Sequence, residues 1–343
     1  MRRHRLFSAA ALTAAFASFG LAATALADGT ATTPGSTVTS SQTSASNPAA
    51  AVKASVTLSL PDAFVVHHDA VTVPGRLVHA RGVVTPYVAG QEVEVKEFLG
   101  RRLIRRDRLH IKPGAGGRSG VFTEKLRSPG SGLVKIQVTH ARTRQMLGFL
   151  AVRRIAALPA HAGFGSSGRF VQLIQQRLAA LHIYVNQSGV YDSHTGLALD
   201  AYHRLLGHGT SQGLDGATVS ELLNGVGSFR VHHPHDGTHA EGNLSKQLLA
   251  LVRGSEVVWI LPISSGKPST PTILGHFHVY SRVPGYLPDG MYYSNFFYGG
   301  YAIHGYDPAP DYPASHGCMR LPISDAIFVF HWLSYGDVVD VYH

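Results

Sequence analysis

Cys318 is the only cysteine in this chain of 343 residues, and it lies in the run Ser315-His316-Gly317-Cys318-Met319-Arg320. A lone thiol cannot cross-link its own chain, so it is free to act as a nucleophile. A free thiol ionises near pH 8.5, so nucleophilic work at about neutral pH calls for an imidazole or another positive neighbour. Two histidines qualify. His304 lies 14 positions upstream, and the Pro-rich loop Asp307-Pro308-Ala309-Pro310-Asp311-Tyr312-Pro313 can return the chain beside the same strand end. His316 stands two residues before Cys318, so in an extended segment the two side chains would share a face. The residues alone leave either histidine open as the base.

Around the thiol, Gly317 has no side chain, which lets a substrate carbonyl approach the backbone. The N–H groups of Gly317 and Cys318 are candidate oxyanion donors, each worth roughly 10²–10³-fold in rate. Ser315 completes the catalytic run. Arg320 either pins the loop or meets a substrate carboxylate, and Tyr301 and Gly305 join it as candidate substrate contacts. This chemistry requires no metal, nucleotide or other cofactor.

The elements that must position these residues are short strands from residue 240 to 343. Gln247–Val252, Val257–Ile263, His276–Tyr280, Gly299–His304 and Asp337–Tyr342 are apolar-rich runs, and a helix is expected over about Ser324 to Leu333. Upstream, residues 53–156 carry period-two runs bounded by Pro and Gly turns, such as Gln91–Val95 and Leu133–Val138. That pattern predicts an antiparallel β-sandwich. Arg101, Arg102, Arg105, Arg106 and Arg108 make it basic, which reads as a solvated strand face. Between 163 and 225 the period turns helical, with Phe170, Leu173, Ile174, Leu178 and Leu181 on one stripe and Ala198, Tyr202, Leu205 and Leu206 on another. The expected architecture is therefore multidomain: an N-terminal β-sandwich, a small three-helix module and a C-terminal mostly-β domain.

Residues 226–239 form a His-rich hinge with His232, His233, His235, Asp236 and His239. Imidazole and carboxylate suit Zn²⁺, but the spacing is irregular and interrupted by Pro234 and Gly237, so a solvated linker is expected. His276 and His278 read as sheet positions rather than ligands.

The N-terminus reads as a signal peptide over residues 1–27: a basic start (Arg2, Arg3, Arg5), an Ala/Leu/Phe stretch, and the small-x-small site Ala25-Leu26-Ala27. Residues 28–52, rich in Ser, Thr and Ala, cannot bury enough surface to offset their ordering entropy and read as a tether. No transmembrane anchor is expected after cleavage. Losing three arginines and no acid lowers the formal charge from +9 to +6, which still favours polyanions such as cell-wall polymers. Nucleic acid is not an expected partner, because no zinc-finger spacing or aromatic-basic recognition motif is present. The expected location is the extracellular face or cell wall.

Several segments carry resemblances to known families. Gly82–Gly90 is similar to immunoglobulin-like modules of exported actinobacterial proteins. Gly168-x-x-Val171-x-Leu173-Ile174-x-x-Arg177-Leu178, with Gly189-Val190-Tyr191-Asp192 and Gly213-Leu214-Asp215-Gly216, resembles the three-helix peptidoglycan-binding module. Most specific is the C-terminal domain. His304-Gly305 with Ser315-His316-Gly317-Cys318, Asn243–Gln247, and Ser264-Ser265-Gly266-Lys267-Pro268-x-x-Pro271-Thr272 resemble the YkuD-type L,D-transpeptidases. The resemblance implies that Cys318 is the acylated nucleophile and His304 its proton donor and acceptor. It implies peptidoglycan stem peptides as donor and acceptor, 3→3 cross-links through a thioester, and acylation by carbapenem-type inhibitors, in a protein expected to be monomeric. The motif equally suits an L,D-carboxypeptidase, and a non-catalytic wall-binding protein is the alternative of another class. The shorter loop from His304 to Ser315 and Arg320 in place of a common Asn depart from the family pattern.

Overall fold

The structure is a computed structural model and describes residues 50–343. The signal-peptide reading and nearly all of the tether lie outside the described residues. The period-two region forms β1 (Ser55–Ser59), β2 (Phe64–Val66), β3 (Asp69–Thr72), β4 (Leu77–Thr85), β5 (Glu92–Leu99), β6 (Arg102–His110), β7 (Lys112–Pro113), β8 (Gly120–Arg127), β9 (Gly132–His140) and β10 (Phe149–Ala157). They assemble as a four-stranded sheet, β1-β4-β8-β7, and a six-stranded sheet, β2-β3-β10-β9-β5-β6. Alternation along β4, β5, β8 and β9 sends Val78, Ala80, Val95, Phe122, Ile136 and Val138 into one core shared by both sheets. The arginines fall on and next to β6, the edge strand, where charge discourages edge-to-edge pairing.

The helical stripes form α1 (Arg169–Ala180), α2 (Ser193–Leu206) and α3 (Gly216–Asn224). Asp192 and Asp215 cap α2 and α3 by accepting the N–H of Thr195 and Thr218 at 2.9 and 2.7 Å. Gly207 and Gly225 end the same helices in the left-handed conformation that suits glycine. The helical core is continuous with Val66 and Val71 on one side and Leu248 and Ile260 on the other. Arg204 of α2, buried and paired with Asp200 at 2.6 Å, donates to the carbonyls of Gln247 and Ile263, each at 2.9 Å. The helices are thus fixed directly to the residues that brace the thiol loop.

The C-terminal part contains β11 (Thr238–Asn243), β12 (Leu248–Arg253), β13 (Glu256–Pro262), β14 (Gly275–His278), β15 (Ser281–Tyr286), β16 (Tyr292–Tyr298), β17 (Tyr301–Gly305), β18 (Met319–Leu321), α4 (Ile323–Trp332) and β19 (Val338–Tyr342). One sheet runs β13-β12-β11-β19-β14 and the other β15-β16-β17-β18. Leu249, Leu251, Leu261, Ile303, Met319, Val329 and Val339 fill the core between them. Two pairings are parallel, β11 with β19 and β17 with β18. A parallel pair needs a crossover of about a dozen residues or more. For β17 and β18 that crossover is residues 306–318, the Pro-rich loop ending at Cys318. His239, assigned from sequence to the hinge, is instead fully buried in β11. Among the described residues, no helix is long and apolar enough to cross a membrane.

Candidate active site

The β17/β18 register sets the site. Ile303 pairs with Met319 and His304 with Arg320, which puts Cys318 one step before the ladder, across from Ala302. Cys318 itself lies in the bend before β18, and the charges of Arg320 and Asp289 act on both it and His304, so the two groups share one neighbourhood. His304 is 2% exposed, and its Nδ1–H donates to the Gly305 carbonyl at 2.8 Å. A carbonyl only accepts, so this bond assigns the proton to Nδ1 and leaves Nε2 as the basic nitrogen.

Burial is the largest influence on both groups. It drives His304 down to about 4, against the opposing bond to Gly305, and the Arg320 charge adds to the depression. It pushes the Cys318 thiol up, against a backbone hydrogen bond to Ala302 and the Arg320 charge. The resting pair is therefore neutral thiol and neutral imidazole. The thiol donates to the Gly300 carbonyl at 3.4 Å, and among the described residues no hydrogen bond joins it to His304.

Ser315 is the brace of the run. Its hydroxyl donates to the Cys318 carbonyl at 2.6 Å and accepts the Gly317 N–H at 3.0 Å. The expectation of Gly317 N–H as an oxyanion donor is corrected by this bond, which leaves the Cys318 N–H as the member of the pair that Ser315 does not occupy. Gly317 instead serves conformation. Its φ is +123°, and a Cβ there would come within 2.5 Å of the Tyr301 ring. That bend also removes the premise for His316 sharing a face with Cys318, since residues 316–318 are not an extended strand. His316 is exposed and accepts from Lys267 Nζ at 3.2 Å.

The Ser264–Thr272 motif acts as a clamp. Ser264 and Arg320 exchange two backbone hydrogen bonds of 2.9 Å, the Ser315 N–H donates to the Ser265 carbonyl at 3.0 Å, and the Lys267 N–H to Ser315 O at 3.0 Å. Gly266 is required by the turn, because a Cβ there would lie 2.3 Å from the Thr270 carbonyl oxygen. Gln247 anchors the clamp through paired bonds with Ser265: its amide donates to the hydroxyl at 2.7 Å, and its carbonyl accepts the backbone N–H at 2.9 Å.

The candidate substrate contacts separate. Tyr301 is half-buried against Gly317, at the thiol. Gly305 is buried, with no room for a Cβ beside Ala326 of α4, so it packs the helix rather than lining an open surface. Arg320 lays its guanidinium 3.9 Å from the Tyr306 ring centroid while its backbone joins the clamp. Sequence reasoning missed Asp289, whose charge acts on both His304 and Cys318, and Tyr306, the platform under Arg320. The turn Pro288-Asp289-Gly290 gave no spacing that ties it to the thiol.

Comparison with known proteins finds one matching family model and several similar proteins. Residues 237–341 match the family model of YkuD, the L,D-transpeptidase catalytic domain. L,D-transpeptidase 1 of Mycobacterium tuberculosis is 25% identical over 160 residues, covering 40% of this chain and 58% of that protein. The chain thus spans less than two thirds of the curated relative's length. Among solved structures, an L,D-transpeptidase from Xylanimonas cellulosilytica is 29% identical, covering 54% of this chain and 98% of that chain with a TM-score of 0.49. The catalytic domain of the Enterococcus faecium L,D-transpeptidase, solved acylated by ertapenem, is 28% identical and covers 31% of this chain and 98% of that chain, with a TM-score of 0.27.

Proposed function

We propose that this chain, whose residues 237–341 are a YkuD-type L,D-transpeptidase catalytic domain, is an exported, monomeric cell-wall enzyme that forms 3→3 peptidoglycan cross-links through a Cys318 thioester. The observation that carries the reading is the β17/β18 register, which brings the residue next to the chain's only thiol into the ladder beside the strand that carries a tautomer-fixed buried imidazole.

The neutral resting state shapes the mechanism. Ionising the pair in advance is unfavourable, because the imidazole is driven down to about 4 and burial pushes the thiol above its ordinary value. Proton transfer therefore accompanies attack. As Cys318 Sγ bonds to the carbonyl carbon of the third stem residue, its proton passes to His304 Nε2. The Nδ1–H bond to Gly305 steadies the imidazolium that forms. That proton goes to the departing amine of D-alanine as the C–N bond breaks, leaving a thioester. The acceptor's side-chain amine attacks the thioester and loses its proton to His304, which returns it to the thiol. The Cys318 N–H supports the oxyanion, and Ser315 holds that N–H in place through the Cys318 carbonyl. Tyr301 and Arg320 bound the donor groove. Residues 1–27 direct export, and residues 163–225 hold the enzyme at peptidoglycan.

The test is the intact mass of wild type, Cys318→Ala and His304→Ala after incubation with a carbapenem or a tetrapeptide-stem fragment. The expected result is an adduct on wild type that Cys318→Ala lacks entirely. Folded wild type with a titratable thiol and no adduct with either reagent would overturn the reading. With an acceptor amine supplied, a cross-linked dimer is expected, and release of tripeptide alone would make the enzyme a carboxypeptidase.

A further inference from the structure

We propose that His233, Asp236, His276 and Asp340 bind one divalent transition-metal ion, with zinc the best match to the donors, and that the ion fastens the hinge to the five-stranded sheet. The ligand atoms of His233, Asp236 and Asp340 all lie within 4.8 Å of one another. His276 Nδ1 is 2.7 Å from Asp340 Oδ1 and 3.5 Å from Asp236 Oδ2, and His233 Nδ1 is 3.8 Å from each carboxylate. Ligands about 2.0–2.1 Å from a tetrahedral zinc stand roughly 3.3 Å apart, so these separations bracket that edge. Mixed imidazole and carboxylate is a donor set that zinc accepts.

The independent sign is unmet demand for a cation. Asp340 is 1% exposed, and its Oδ2 has no hydrogen-bond partner among the described residues. Asp236 Oδ2, the oxygen that faces both histidines, is also buried and without a hydrogen-bond partner. Buried carboxylate oxygens left in this condition are costly unless a charge or donor joins them.

The site is also built in advance. His276 and Asp340 are a directly opposed pair on β14 and β19. A turn closed by the Asp236 N–H on the His233 carbonyl brings those two side chains together. Glu241, fully buried on β11, accepts the backbone N–H groups of His232 and His233, each at 2.8 Å. The His232 ring stacks on Tyr342 at 4.2 Å. These contacts hold the hinge over the sheet with His233 presented to the carboxylates. The reading of residues 232–239 as a solvated linker overlooks Asp340 and His276, which lie far away in sequence. Binding through His276 Nδ1 selects the neutral tautomer with its proton on Nε2, so the Nδ1–H bond to Asp340 is exchanged for the metal–nitrogen bond while Nε2 takes up a proton, with no net release from a neutral ring.

The test uses full-length protein stripped by a chelator, then titrated with Zn²⁺ in competition with a chromophoric chelator and separately loaded with Co²⁺. One equivalent of zinc is expected, with tetrahedral cobalt absorption lacking a thiolate charge-transfer band. His233→Gln and Asp236→Asn lie in the hinge, and circular dichroism checks that they fold. Each should weaken zinc by more than the roughly tenfold that losing an outer partner costs. Cys318→Ala should retain the ion. Zinc should slow proteolysis between residues 226 and 238 in wild type and fail to do so in the hinge variants. Absence of saturable zinc binding, unchanged affinity in both hinge variants, or loss of the ion in Cys318→Ala would each overturn the proposal.

Discussion

Two parallel strand pairs in the C-terminal domain place titratable groups side by side, and they settle charge in opposite ways. Across β17 and β18, burial discharges both members: His304 falls to about 4 and Cys318 rises. Across β11 and β19, two buried acids, Glu241 and Asp340, are directly paired. Burial pushes Glu241 up, but bonds from His239, the His233 N–H, Tyr342 and the His232 N–H outweigh it and hold the carboxyl below its ordinary value. Asp340 lacks that many donors, and burial wins. The same topology yields a neutral reactive pair in one place and a satisfied anion beside an unsatisfied one in the other. The number of donors aimed at a buried group, more than the burial itself, decides its charge.

The largest expected effect falls on the neutral pair. His304→Gln should lower the carbapenem acylation rate by about 10²–10⁴-fold, the range for removing a general acid–base group. Stopped-flow quenching or time-resolved mass spectrometry reads it, and an unchanged rate would move the proton transfer to another group. The pH profile sharpens the same point. With no imidazolium in the resting site, iodoacetamide should alkylate Cys318 faster through about pH 9 with no plateau near neutrality.

Next are the paired acids. Glu241→Gln should cost about 3 kcal/mol, because the amide keeps one acceptor oxygen and turns the other into an NH₂ that faces the converging N–H and O–H donors. In metal-free protein Asp340→Asn should cost less than about 1 kcal/mol, since the lost charge was poorly compensated. Denaturant midpoints compare the two, and equal costs would break the contrast drawn between them.

Acid stability follows from His304. Its folded value of about 4 lies below the ordinary 6.5, so as pH falls the unfolded chain takes the proton first. The contribution is whole above pH 6.5 and is lost progressively toward pH 4, amounting to about 3 kcal/mol. His304→Gln should flatten that limb of a stability profile measured from pH 7 to pH 4.

Much of the architecture was legible because period marks strands and helices directly. The stripe Phe170-Leu173-Ile174-Leu178 became the buried face of α1, and the helix expected from Ser324 to Leu333 runs from Ile323 to Trp332. The Cys318 run stood out through residue type alone, while His304 was one of two histidines that residue type left open and was singled out by the family resemblance. What sequence hid was long-range or conformational. Asp289, Tyr306 and Asp340 reach their sites through pairings that no local spacing encodes. The residues alone left His316 open as a base because the one positive φ at Gly317, which breaks the alternation that an extended strand would keep, is not visible in residue type. The Gly317 N–H was counted as a free donor when Ser315, two residues away, already accepts it.

The smallest expected effect is the most discriminating between the two histidines. Lys267 and His316 meet at the surface through one contact of 3.2 Å, with His316 exposed. Exposed pairs of this kind contribute less than about 1 kcal/mol. Lys267→Ala and His316→Gln should therefore shift stability by less than about 0.5 kcal/mol. Their acylation rates should stay near wild type, because the clamp reaches Ser315 through the Lys267 backbone N–H and the side chains are dispensable to it. A loss in His316→Gln as large as that in His304→Gln would mean that the bend at Gly317 opens during catalysis and brings the exposed imidazole to the thiol. The division between a neutral thiol–imidazole pair and a solvent-facing histidine would then describe only the resting enzyme.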